Sequence, residues 1–158
     1  MGDLVFVPVT SEELRSARRD GLGQMRGFAP TQRLLDTFGY GPEEGEEAEY
    51  AACLIASVDA LVRHGRRLVL AVGSDDAEPD LGPDADFGLV SVPSVAWTHV
   101  QSIFADEPAG DAAAQDLDLP PVEGDATALD AAWGSDAVHA LLEAHDLLWF
   151  GPSEVDRW

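Results

Sequence analysis

Lysine and asparagine are absent from this chain, and cysteine occurs once. With Cys53 alone, an internal disulfide and a Cys-cluster zinc site are both excluded. Nine arginines face thirty acidic residues, a net charge of -21 at pH 7. The shortage of cations deepens along the chain. Residues 1–67 hold eight arginines against eleven acids, while residues 68–158 hold only Arg157 against nineteen, a net of -18. Such a surface repels phosphate backbones and anionic lipids, so neither nucleic acid nor a membrane is expected as a partner. Apolar runs are short, and none approaches the ~18 residues a membrane helix needs. The opening Met-Gly-Asp-Leu-Val-Phe has no basic stretch of the secretory kind, and Phe6 stands where a myristoylation signal wants Ser or Thr. A cytoplasmic setting is expected.

What is present is a core. Hydrophobic residues make up 46% of 158, enough for one globular domain over 1–158. Continuous apolar runs predict strands near 4–8, 67–72, 87–92, 98–104 and 147–150. Thr10-Ser11-Glu12-Glu13 opens a helix that runs to Asp20, and Thr31 to Phe38 forms another. The clearest helix spans Glu43 to His64. Its apolar stripe is Ala51, Leu54, Ile55, Val58, Leu61 and Val62, and Glu49, Asp59 and Arg63 sit on the opposite, exposed face. Helical pattern returns from Ala128 to His145, with a break at Gly134-Ser135. Residues 105–127 are the least regular and acidic, with a short helix admitted where Asp106 caps and Pro108 takes the first turn. The order predicts an α+β fold: a mixed sheet of about five strands with helices against it, compatible with an elaborated βαββαβ core.

Motifs that carry chemistry are scarce. An EF-hand frame begun at Asp76 accommodates Glu78 and Asp80. It then puts Leu81 where glycine is required and Phe87 where glutamate is required, so the loop 75–86 reads as solvated rather than cation-binding. Asp136, His139 and Glu143 share a helix face that Val138, Leu141 and Leu142 mark as the solvent side. No metal and no cofactor is expected. Cys53 sits mid-helix one turn after Glu49, whose charge would raise its pKa, and reads as a packing residue. Gly21 to Gly27 lacks the Lys-Ser/Thr ending of a phosphate loop.

Two features stand above this background. Arg15, Arg18 and Arg19 line one helix face, and with Arg26 and Arg33 they form a candidate anion or partner site, unless nearby carboxylates neutralise them. Trp149, Phe150 and Trp158 cluster late in the chain and read as core and a packed tail, although an exposed pair would mark an interface. The function these residues point to is a small acidic, non-catalytic protein-interaction module, with a protein partner or a second copy. The alternative is a small enzyme or ligand-binding protein whose site is assembled from distant residues, with Glu47, Glu49, Tyr50 and His99 as its polar candidates.

Three stretches carry a resemblance: Val5-Phe6-Val7-Pro8-Val9-Thr10, Glu46-Glu-Ala-Glu-Tyr50-Ala51-Ala52 and His145-Asp-Leu-Leu-Trp149-Phe150. Together they resemble a family of short acidic proteins from high-GC Gram-positive bacteria, known only as a domain of unknown function. The resemblance spans most of the chain. It implies bacterial origin and a cytoplasmic setting, and it brings no catalytic residues to carry over.

Overall fold

The computed structural model describes residues 3–158. Seven strands form one sheet: β1 (Asp3–Pro8), β2 (Met25–Phe28), β3 (Leu68–Ser74), β4 (Glu78–Pro79), β5 (Leu89–Val92), β6 (Val100–Ala105) and β7 (Leu148–Phe150). Six α-helices accompany them: α1 (Ser11–Asp20), α2 (Gln32–Phe38), α3 (Gly45–His64), α4 (Pro108–Gln115), α5 (Ala128–Trp133) and α6 (Asp136–Ala144). The strand order is β4-β5-β2-β1-β3-β6-β7, and every pair is antiparallel.

The fold is α+β, but the sheet is neither mixed nor five-stranded, and it holds no βαββαβ unit. The crossover through α2 and α3 does join two strands that run the same way, β2 and β3. They lie on either side of β1, so the chain steps over β1 and no parallel neighbours result. Two strands escape the apolar pattern. Strand β2 is only Met-Arg-Gly-Phe, where a Cβ on Gly27 would stand 2.7 Å from Val5 Cγ1, and β4 is an exposed Glu-Pro. Residues 85–87 and 97–99 are 3-10 turns that shorten the strands expected there.

Strand alternation splits the core between the two faces. Val5, Val7, Leu68, Leu70, Val72 and Ile103 meet Leu14 and Ala17 of α1 on one side. Phe6, Phe28, Val69 and Ala71 meet α3, α5 and α6 on the other, through Ala52, Ile55, Val58, Leu129 and Val138. Helix α1 starts from a capping box, with Thr10 Oγ1 accepting from the Glu13 amide at 3.0 Å and Glu13 Oε1 accepting from the Thr10 amide at 3.0 Å.

Buried charges lock these layers. Asp59 does not face solvent: it is 1% exposed, because α3 is covered by the sheet, β2 included, and by α5. Its carboxylate accepts from Arg26 Nε at 3.1 Å and Nη2 at 2.9 Å, and it pairs with Arg63 at 3.2 Å. Arg26 also reaches Asp84 at 3.2 Å, whose second oxygen accepts the Thr127 hydroxyl at 2.6 Å. A second lock closes the end of the β3–β6 ladder. Leu68 pairs with Ala105, so Arg67 and Asp106 come next in line, and both side chains are almost fully buried. Arg67 donates two hydrogen bonds to the Asp106 carboxylate and one to the His145 carbonyl at 2.8 Å. Asp106 is therefore committed to Arg67, and Glu107 takes the N-cap position of α4 without a side-chain bond.

Candidate functional site

Small side chains at adjacent register positions leave a space under the first half of α3. Phe6, Ala71 and Ser102 are consecutive partners across β1, β3 and β6, and they face the helix side. Ala71 and Ser102 are too short to fill the gap to Cys53 and Leu54 above them. The result is a cleft of about 490 Å³ lined by Leu4, Phe6, Cys53, Leu54, Phe104 and Leu147, with Glu46, Glu49, Tyr50, Gln101 and Asp146 as its polar members. Its volume falls within the ~300–1,000 Å³ typical of ligand sites.

Helical spacing explains the α3 wall. Glu46, Tyr50, Cys53 and Leu54 stand at i, i+4, i+7 and i+8 and share one face with Glu49. The same spacing turns Glu47 away from the cleft. Glu46 and Glu49 also sit in the first turns of α3, where the helix dipole favours negative charge. Among the described residues, neither they nor Asp146 makes an ion pair. Tyr50 is 60% exposed at the mouth.

Gln101 enters through an irregularity. Ala71 pairs with Ser102 but Val72 pairs with Val100, so Gln101 is the extra residue of a β-bulge that re-aims its side chain. The bare Cα of Gly73 makes room, since a Cβ there would lie 3.2 Å from Gln101 Nε2. Gln101 thereby borders both this cleft and a second, polar one of about 290 Å³, where His99 stands with Asp75, Asp76 and Thr98. His99 is thus on the far side of Gln101 from Glu49 and Tyr50.

Cys53 lies in the cleft wall but is not poised as a nucleophile. Burial pushes its thiol up to about 12, with Arg67 pulling weakly the other way. The cause is desolvation rather than the Glu49 charge.

Each of the five arginines is engaged within the chain. Arg15 donates to the Trp158 main-chain oxygen at 3.0 Å, Arg18 pairs with Asp156 at 3.2 Å, and Arg19 pairs with Asp20 at 3.2 Å. Arg26 holds Asp59 and Asp84, and Arg33 pairs with Asp86 at 2.7 Å. The acidic loop is dispersed by the same contacts, and Asp80 turns inward to accept the Gly82 amide. Among the described residues no three His, Cys, Asp or Glu side chains gather as a metal ion would need. His139 donates Nε2–H to the Trp133 carbonyl at 2.6 Å, while Asp136 and Glu143 face solvent.

Glu46, Gln101, Ser102, Asp146 and Leu147 are the cleft residues that sequence reading misses. The Glu46 to Leu54 stripe was the available signal for one of them; the others depend on strand register and a bulge. Trp149 is 63% exposed and Leu148 41%, while Phe150 packs edge-on against Trp158 at 5.2 Å. Among the described residues no helix is long and apolar enough to cross a membrane. Comparison with curated proteins and with solved structures found no match. A family model does match, over residues 4–157, and the chain belongs to that family, DUF6912, a family of unknown function.

Proposed function

We propose that this chain is a small non-catalytic binding module whose cleft receives an apolar group bearing a positive charge, presented by a basic protein partner. The observation that carries this reading is the cleft itself. Its floor and walls are aliphatic and aromatic, and among the described residues three of its carboxylates have no partner cation. An aliphatic stem fits the walls while its cationic head meets Glu46, Glu49 or Asp146, the arrangement that lysine and arginine side chains adopt readily. The protonated Cys53 thiol adds to the apolar lining rather than to reactivity. The charge of -21 steers cationic partners inward and sets the module against nucleic acid and anionic membranes. The setting is the bacterial cytoplasm, as the family resemblance implies.

The test is titration with 4-phenylbutylamine, followed by amide chemical shifts. Its eleven heavy atoms at about 0.4 kcal/mol each give a Kd of about 1 mM. Shifts should concentrate at residues 46–54, 101–104 and 146–147. The neutral 4-phenylbutanol should bind at least about tenfold more weakly, a loss of ~1.4 kcal/mol, as should the amine to Glu46→Gln/Glu49→Gln/Asp146→Asn. No shift at 10 mM amine, or equal binding of the alcohol, would overturn the reading.

A further inference from the structure

The two edges of the sheet are treated differently. Strand β4 closes one edge with two exposed residues, Glu78 and Pro79; charge, proline and brevity are the devices that keep another strand from pairing there. Strand β7 closes the other edge, and among the described residues it pairs with β6 alone. It has no charge and no proline, and it exposes Leu148 and Trp149. An open strand edge with exposed apolar side chains is a template for one more strand.

That edge is continuous with the cleft. Asp146 and Leu147 line the cleft and lead directly into β7. Trp149 is the register partner of Phe104, another cleft residue, so both side chains stand on the α3 side of the sheet. Phe104 in turn lies 6.3 Å from Phe6, ring to ring, so aromatic surface runs from the cleft floor to the edge.

From this we infer that β7 receives an extended basic segment of the partner by strand addition. The inference rests on the cleft reading above and names what delivers the cationic group. Charge decides the occupant. A second copy would bring -21 against -21, whereas a segment of alternating aliphatic and cationic residues meets Asp146, Glu46 and Glu49. With side chains alternating along the added strand, its cationic residues fall on the α3 side. One then lies over Trp149 and the next reaches over the edge to the cleft.

The probes are Ac-Arg-Val-Arg-Val-Arg-NH2, the same peptide N-methylated at all five residues, and 4-phenylbutylamine. The peptide should bind at least about tenfold more tightly than the amine and slow amide exchange at 148–150. N-methylation removes backbone donors and should cost at least about tenfold. Trp149→Thr changes an exposed residue without adding charge beside the cleft; it should weaken the peptide about tenfold and leave the amine unchanged. If the amine binds the cleft but the two peptides bind alike, strand addition is wrong and the cleft reading stands. Protection at β7 with no amine binding would sink the cleft reading and keep the edge. A dimer in sedimentation that Trp149→Thr dissociates would assign β7 to a second copy and overturn the proposal.

Discussion

Substituting Arg67→Met isolates the lock at the end of the β3–β6 ladder. The guanidinium and the Asp106 carboxylate are 0% and 2% exposed. Removing one partner leaves a buried carboxylate without a cation, which costs about 3–5 kcal/mol. It also takes a donor from the His145 carbonyl. Against a total stability of about 5–15 kcal/mol the variant should still fold. With a urea slope of about 2 kcal/mol/M, a 4 kcal/mol loss moves the midpoint down by roughly 2 M. Arg67→Met/Asp106→Leu removes the stranded charge and should recover about half of that loss. The unpartnered His145 carbonyl, at about 1–3 kcal/mol, accounts for the rest. Because His145 leads into the cleft wall at Asp146 and Leu147, amide exchange at 145–147 should quicken in both variants. A single variant within 1 kcal/mol of wild type, or a double variant no better than the single, would refute the assignment of Arg67 as a structural keystone.

Gly88 sits at φ +86, and a Cβ there would stand 2.3 Å from the Ala29 carbonyl oxygen; Gly88→Ala should cost more than about 2 kcal/mol and lower the melting temperature by several degrees. Cys53 makes stability fall in alkali. Its folded pKa, about 12, is raised from 9.0, so its contribution is whole below pH 9 and is lost as pH climbs from 9 toward 12, by about 1.4 kcal/mol per unit. Urea midpoints at pH 8.5 and 10.5 should therefore differ more in wild type than in Cys53→Ala, and equal differences would contradict the buried thiol.

Residues that obey one strong local rule were legible in advance. The ends of α1 and α2 follow from Thr10, Thr31 and the glycines after them, and the break between α5 and α6 from Ser135. Strands β1 and β3 are legible because both faces are buried, which leaves no polar alternation. Strand β2 is not, because its four residues are held by the ladder and by Arg26 rather than by their own pattern. Asp59 misleads for a related reason: a carboxylate at i-4 to an arginine fits a surface pair, and only the fold brings Arg26 in from β2. Of the polar site candidates, Glu49 and Tyr50 do come together, whereas Glu47 and His99 do not. The helix period could separate Glu47 from Glu46, but nothing local says that Gln101 divides His99 from the rest.

The central position of β1 has a consequence for how the chain is made. It precedes every other strand of this sheet in chain order, yet its long partner β3 lies roughly sixty to seventy residues downstream, with Asp3 opposite Ser74 and Pro8 opposite Val69. At 5–20 residues per second, Leu-Val-Phe-Val waits roughly 3–13 s before β3 has been made. During that interval an apolar strand has an uncovered edge and only β2, four residues long, to pair with. The nascent chain is therefore most prone to misassociation over its first half, where eight of the nine arginines leave the net charge at only -3, and the strongly acidic remainder arrives in time to keep the finished molecules apart.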